Sequence, residues 1–329
     1  MKREIPHEVW FIIGGIILFV GVLLANQVLN RYLIHILILM GIYSVATASL
    51  NLTNGYTGLF SLGHAAFMAI GAYSSTLLTF PLSLRKSYDL PLLPSILGGP
   101  ETAWPFLPAL VAGGLMAALS ALVIGVPVLR LRGHYLSVAS LGFMVIVTTF
   151  AKTLRGITRG SMGISAIPSY TNIFWTYFWV LITVYVVWRI VNSRFGRAML
   201  AIREDETAAQ VLGVYPLKYK LLSFATGAFF AGVAGGLYAH FTKAIRPLEF
   251  SFFLTFQIVV MLVVGGAGTT SGPIAGAVSI IALRYLLKPV EERFALYGLI
   301  ELIYAGLLIV IMLWKPEGIM GRKTGRIGG

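Results

Sequence analysis

Ten stretches of the chain are long and apolar enough to cross a lipid bilayer, and this pattern constrains the fold more than any other feature. A membrane span needs about 20 mostly apolar residues, because the hydrocarbon layer is about 30 Å thick. The stretches are 10–29, 32–50, 56–80, 104–128, 134–153, 174–192, 217–242, 252–268, 273–288 and 297–314. Backbone groups in lipid must bond within their own segment, so each stretch is predicted to be a helix. The sequence therefore predicts an all-α polytopic membrane protein with one transmembrane domain over residues 1–329.

The composition agrees with this class of protein. Apolar residues make up 57% of the chain and charged residues 11%, with a mean hydropathy of +0.85, which is outside the range of soluble domains. The first stretch is too long for a signal-peptide core, so we expect it to be retained. There is no cysteine, which excludes disulfides and thiol chemistry. The net charge of +13 indicates contact with membrane lipid rather than nucleic acid, because the basic residues lie mostly in short loops beside spans.

An even number of spans places both termini on one side of the membrane. Basic residues near the termini predict that this side is the cytoplasm; they are Lys2, Arg3, Lys315, Arg322, Lys323 and Arg326. The same topology puts 193–216 in the cytoplasm and 81–103 outside. The outer loop is predicted to be irregular, because it contains Pro81, Pro91, Pro94 and Pro100. A second set of basic residues argues against this orientation: Arg85, Lys86, Lys152, Arg155 and Arg159.

A charged segment, Arg194 to Gly213, lies between two apolar spans and is too polar to enter a bilayer. Three consecutive acids are followed by small and apolar residues, and the run ends at Gly213, with Pro216 beyond. This order predicts a helix of about two turns, with acids at its N-terminus. A solvated loop is the ordinary alternative. We predict a docking element for a partner, carried by Arg203, Glu204, Asp205, Glu206, Ala208, Ala209 and Gly213.

Two segments interrupt the apolar pattern at membrane depth, Asn51 to Ser75 and Val263 to Val278. Broken helices are tolerated only where protein or a water-filled cavity surrounds them, so both segments are candidates for lining a path. Close packing of helix backbones is the alternative explanation for small residues. The glycines assigned to the breaks are Gly55, Gly58, Gly63, Gly265, Gly266, Gly268 and Gly272.

Four polar residues of the first broken segment are predicted to line that path: Asn51, Asn54, Ser61 and His64. For His64 the alternative is a neutral imidazole bonded to a neighbouring carbonyl or hydroxyl. An intramembrane enzyme would need a nucleophile and a base. Ser61 with His64 is the local candidate, but no carboxylate is placed to orient the imidazole. We therefore predict no catalytic residue.

Several chemistries lack their signature in this sequence. There is no G-x-x-x-x-G-K-[ST] loop to bind nucleotide phosphates, so the chain is not expected to hydrolyse ATP itself. No His, Cys or carboxylate cluster has metal-ligand spacing, so no metal is predicted. Proton-coupled carriers usually rely on buried carboxylates. Glu301 is the acid that falls clearly inside a predicted span, and it lies about one turn from the outer end of that span. This scarcity of buried carboxylates weakens the hypothesis of a secondary transporter.

Taken in order, the motifs resemble LivM-type permease subunits of the ABC importers for branched-chain amino acids. The matching stretches are GLFSLGHAAFMAIGAY (58–73), LRGHYLSVASLGF (131–143), RFGRAMLAIREDETAAQVLGV (194–214), KLLSFATGAFFAGVAGGLYAH (220–240), VVGGAGTTSGPIAGA (263–277) and KPEGIMG (315–321). Together they cover most of the chain. The chain departs from the family pattern in the run Asn51 to Asn54, which is more polar than expected before Gly55.

The resemblance implies a membrane permease in a bacterial or archaeal plasma membrane, with no cofactor of its own. Its partners would be a LivH-type second permease, two cytoplasmic ATPase subunits that use ATP and magnesium, and an extracytoplasmic binding protein. Residues 203–213 match the family's cytoplasmic coupling helix. The implied substrates are leucine, isoleucine and valine. Import of urea, short amides or aromatic acids stays open as an alternative, as does an ATP-independent secondary transporter.

Overall fold

A computed structural model describes residues 21, 29–85, 87–88, 90, 103–131, 134–294, 298–315 and 317–321. Several sequence predictions lie outside these residues. They are the greater part of the first span, the prolines at 91, 94 and 100, and the basic residues at 2, 3, 86, 322, 323 and 326.

The described part of the chain is built from helices with one small sheet. The helices are α1 (Arg31–Leu50), α2 (His64–Thr79), α3 (Leu82–Arg85), α4 (Phe106–Val128), α5 (His134–Thr153), α6 (Arg155–Thr158), α7 (Ile173–Val191), α8 (Arg194–Glu204), α9 (Glu206–Val211), α10 (Pro216–Thr242), α11 (Phe252–Gly265), α12 (Gly272–Phe294) and α13 (Leu299–Trp314). A π-helical segment, Asn51–Tyr56, continues α1. Short 3-10 turns occupy Gly160–Met162 and Pro247–Phe250. The strands β1 (Ile164–Ser165) and β2 (Ala244–Ile245) pair antiparallel.

Nine of the ten predicted spans overlap these helices. Among the described residues, six helices are long and apolar enough to cross a membrane, and Phe252–Gly265 and Leu299–Trp314 are shorter apolar helices. The structure thus supports a helical protein with several membrane spans rather than a fixed count of ten.

The centre of the bundle is α10, which packs against α1, α2 and α4. Glycines allow this close approach. A Cβ atom on Gly71 would collide with the backbone of Gly232, and one on Gly235 would collide with the carbonyl of Met68. At these positions the packing explanation for small residues holds.

Both predicted breaks are present as interruptions of helices. The first predicted boundary was wrong, however, because the span expected over 56–80 begins only at His64. Residues 57–63 are non-helical, with Gly58 at φ +71°, and the Asn54 side chain bonds to the backbone of Ser61. A left-handed glycine and a side chain that competes for backbone groups both oppose helix. In the second break, α11 ends at Gly265 and α12 begins at Gly272.

The two ends of the bundle differ. At one end, here called the junction end, Arg203 of α8 contacts the first interrupted segment, the two interrupted segments bond each other, and the C-terminal residues 317–321 bond the second one. At the opposite end lie the sheet and the turn Pro247–Phe250. In the predicted outer loop, residues 82–85 are helical, and the remainder that is described is short.

Candidate functional site

The charged segment folds into two short helices that share one residue as a boundary. The Asp205 carboxylate accepts hydrogen bonds from the backbone N–H groups of Thr207 (2.7 Å) and Ala208 (3.0 Å), and thereby caps α9. Glu206 lies in the first turn of α9, where an acid is favoured by the helix dipole. The helix ends before Gly213, which has φ +82°. The local sequence therefore suffices to explain a compact element at this position.

Arg203 at the end of α8 joins this element to both interrupted segments. Its Nη1 donates to the carbonyl oxygen of Gly55 over 2.7 Å. A Cβ on Gly58 would lie 3.0 Å from the Arg203 Cγ, and one on Gly268 would lie 2.7 Å from its Nη1. Glycine is therefore needed where the arginine passes between the two loops, since any side chain there would displace it.

Asn51 connects the two interrupted segments to each other. Its Nδ2 donates to the carbonyl of Thr269 (2.7 Å), and its Oδ1 accepts from the N–H of Gly268 (2.8 Å). The side chain is fully buried. An asparagine can bond a peptide group with both ends of its amide, which an apolar residue cannot do. We call the cluster of Asn51, Gly55, Arg203, Gly268 and Thr269 the junction.

The C-terminal residues complete this end of the bundle. The N–H groups of Ile319 and Met320 donate to the carbonyls of Val264 (2.8 Å) and Gly265 (2.9 Å). These carbonyls end α11 and lack partners within their own helix. A Cβ on Gly266 would lie 2.8 Å from the carbonyl oxygen of Glu317. The KPEGIMG stretch thus caps the second break.

An ion pair ties α9 to the central helix. The Nζ of Lys220 lies 2.7 Å from Oε2 of Glu206, and the lysine side chain is only 5% exposed. A buried ammonium needs such a partner, because desolvation of an unpaired charge is costly. Movement of α9 is therefore linked to α10.

The exposed surface of α9 differs from the surface that the sequence suggested. Ala209 is 2% exposed and packs inward, whereas Val211 and Leu212 are 84% and 81% exposed. Tyr215 is also exposed. Because these apolar side chains lie close together outside the membrane spans, they form a candidate interaction surface. Helical spacing could not have identified Leu212, because a residue three positions after the buried Ala209 would share its face, and Leu212 is exposed only because the helix has already ended at Val211.

The polar residues predicted to line a path are mostly enclosed within the chain. Ser61 and His64 are buried, and Asn54 is partly buried. His64 Nε2 lies 3.0 Å from the carbonyl of Ala46 and 2.9 Å from Oγ of Ser49. Because the carbonyl can only accept, His64 donates from Nε2, as the alternative explanation for this residue proposed. A path-lining role for these residues stays a prediction, and it requires the segment to open.

The predicted glycines lie at close backbone contacts. A Cβ on Gly63 would lie 2.8 Å from the carbonyl of Ser140. Gly265 lies against Gly272, and Gly272 against the hydroxyl of Thr269. The glycines thus let the two loops and neighbouring helices approach one another.

Comparison with known proteins identifies relatives of the chain. Residues 32–313 match the family described as branched-chain amino acid transport system, permease component. The chain is 32% identical over 325 residues to the high-affinity branched-chain amino acid transport system permease protein LivM of Escherichia coli, covering 88% of this chain and 70% of the relative. It is 24% identical over 327 residues to a probable LivM of Methanocaldococcus jannaschii, covering 88% and 93%. No solved structure matches the chain significantly.

A second kind of relative is the permease LivH of Escherichia coli. It is 23% identical over 304 residues, covering 85% of this chain and 91% of the relative. Similarity thus extends to two differently named permeases of the same transport system.

Proposed function

Because the chain belongs to the family of branched-chain amino acid transport system permease components, we propose that it is the permease subunit of an ATP-driven importer for leucine, isoleucine and valine. The relatives are named as permeases for branched-chain amino acids, and the scarcity of acids inside the spans suits a solute without net charge. Urea, short amides and aromatic acids are less favoured, because the named relatives are all branched-chain amino acid permeases.

The proposal includes partners. A second, related permease would pair with this chain, as the similarity to both LivM and LivH suggests. Two ATPase subunits would sit at the junction end, which we assign to the cytoplasm. A binding protein would deliver solute to the opposite end. The chain itself would be embedded in the plasma membrane with both termini in the cytoplasm.

The observation that carries the mechanism is the hydrogen bond from Arg203 to Gly55. An ATPase that grips the exposed residues of α9 would move α8 and Arg203 with it. Arg203 contacts both interrupted segments, so the same displacement would reach α1 with α2, and α11 with α12. Packed elements respond to such a displacement by switching between discrete arrangements rather than by continuous deformation. The spans would thus open alternately to each side.

ATP hydrolysis would take place on the partner subunits, with magnesium bound there. This chain would supply the conformational response. Asn51 would make the two broken segments move as one, and the Lys220–Glu206 pair would keep α9 attached to the central helix.

The test is purification of the tagged chain from its native membrane, followed by reconstitution of what co-purifies in proteoliposomes. We expect a second permease and ATPase subunits, and ATP-dependent uptake of leucine once the binding protein is added. A complex whose ATPase carries a Walker A lysine substitution serves as the matched control and should be inactive.

Uptake by this chain alone, without ATP, would assign it to the secondary transporters. An ATP-dependent complex that imports urea or an aromatic acid but not leucine would retain the coupling mechanism and refute the substrate assignment.

A further inference from the structure

A cavity of about 430 Å³ opens near the opposite end of the bundle and is not part of the junction. Its walls come from α1, α2, α10, α11, α12, α13 and the turn Pro247–Phe250. The volume falls within the range of about 300–1,000 Å³ that is usual for small-molecule sites. It contains both polar and aromatic groups, as such sites do.

Three charged side chains from three different segments line this cavity. Arg284 belongs to α12, Glu301 to α13, and Glu249 to the turn before α11. In the described part of the chain, no ion pair joins Arg284 to either acid. Charges in or beside spans are costly and usually functional. Opposite charges that face one cavity without closing on each other leave room for a ligand that carries both signs.

Glu249 lines the cavity and is partly exposed to solvent. Partial burial raises the pKa of its carboxyl above the ordinary value, while a backbone hydrogen bond and the charge of Arg246 act in the opposite direction. A cation placed in the cavity would stabilise the ionised carboxylate further.

The cavity also presents an unused donor. Nε2 of Gln257 is buried and has no hydrogen-bond partner among the described residues. A buried amide without a partner is destabilising, so its position on the cavity wall suggests a ligand acceptor. Phe252, Phe253 and Phe256 form the apolar wall.

We propose that this cavity binds the zwitterion of an aliphatic amino acid during transport. The carboxylate would pair with the Arg284 guanidinium, which can bind both of its oxygens, and would accept from Gln257. The ammonium would pair with Glu249 and Glu301. The aliphatic side chain would lie against the three phenyl rings. This inference rests on the proposed function, because that function supplies the solute class and brings it from the opposite end.

The test is saturation-transfer difference NMR on the purified permease complex without its binding protein, with millimolar L-leucine as the probe. We expect strong transfer to the leucine methyl groups. L-Leucinamide, which lacks the carboxylate, and 4-methylpentanoate, which lacks the ammonium, should each bind at least about tenfold more weakly.

Variants of the cavity residues test which side chains bind leucine. Arg284→Gln and Glu249→Gln should each weaken leucine binding at least about tenfold, whereas Arg284→Lys should retain part of it. The matched controls are Arg293→Gln and Glu292→Gln, which change exposed residues of the same helix α12 outside the cavity lining and should bind normally. Co-purification with the partner permease verifies folding, and Gln257→Leu gives a second route should a charge variant fail to assemble.

Wild-type affinity in Arg284→Gln and Glu249→Gln, or equal binding of leucine and its two analogues, would overturn the proposal. If the wild-type complex imports leucine while these variants bind and import it normally, the site is wrong and the proposed function stands. If an aromatic amino acid binds here in place of leucine and the variants abolish that binding, the site holds and the proposed substrate fails. Displacement of leucine by phosphatidylethanolamine in nanodiscs would assign the cavity to a lipid headgroup and overturn the proposal.

Discussion

Replacing Asn51 with leucine should separate the two interrupted segments. The substitution keeps the number and branching of the non-hydrogen side-chain atoms but removes both hydrogen bonds, to the carbonyl of Thr269 and from the N–H of Gly268. Each buried group left unpaired costs about 1–3 kcal/mol, which gives about 2–6 kcal/mol for the pair. Hydrogen bonds between membrane helices average only about 0.6 kcal/mol, which sets a lower limit near 1 kcal/mol. Because Asn51 is fully buried, we expect at least about 2 kcal/mol.

The assay is thermal unfolding of the purified complex in detergent, together with leucine uptake after reconstitution. A loss of 2 kcal/mol corresponds to a fall in Tm of about 3 °C, because an unfolding entropy of about 2.1 cal/mol/K per residue applies to all 329 residues of the chain. The matched control is Thr183→Val, because Thr183 is equally buried but its hydroxyl bonds, within the described ranges, only to the carbonyl of Trp179 in its own helix. If Asn51→Leu unfolds and transports like Thr183→Val, the reasoning about the junction is refuted.

Three further perturbations test separate parts of the structure. Glu206→Gln should destabilise the complex by about 3 kcal/mol in thermal unfolding, since Lys220 stays buried without its partner. Adding Lys220→Met should restore most of the lost stability, and a double variant as unstable as Glu206→Gln would contradict the role of the ion pair. Replacing both Val211 and Leu212 with serine should lower the yield of co-purified ATPase at least about fivefold without lowering the Tm of the solubilised chain. An unchanged yield would show that these residues are not part of the docking surface. Gly71→Val should prevent recovery of folded protein, as monitored by size-exclusion chromatography, because its Cβ meets the backbone of a neighbouring helix; a monodisperse variant would show that the helices can separate.

The sequence predicts the helical class and the approximate positions of most helices, because apolar stretches of span length have few other structures available in lipid. It also predicts the two breaks, since asparagine and clustered glycine oppose helix. The boundary at His64 could not be read from the chain alone. It depends on Gly58 adopting a left-handed conformation and on a bond between Asn54 and Ser61, and both belong to the folded loop.

The site was only partly accessible to sequence reasoning. Arg203 could be assigned to a docking element, but its contact with Gly55 joins residues 148 positions apart and no local pattern indicates it. Asn51 was expected to face a path because it is polar at membrane depth, yet in the fold it bonds a distant loop. The cavity with Arg284, Glu249 and Glu301 was missed for the same reason. Its charges lie on three segments, and each one alone has the appearance of a residue near a span end.

The central claim is that Arg203 transmits movement from the ATPase to both broken segments. The most direct measurement is the ratio of leucine imported to ATP hydrolysed by reconstituted complexes that carry Arg203→Met. We predict that ATPase subunits still co-purify and hydrolyse ATP, while leucine import falls at least about tenfold, because the link to Gly55 is lost. Arg197→Met, which changes an exposed arginine of the same helix α8, is the control and should leave the ratio unchanged. A wild-type ratio in Arg203→Met would contradict the account.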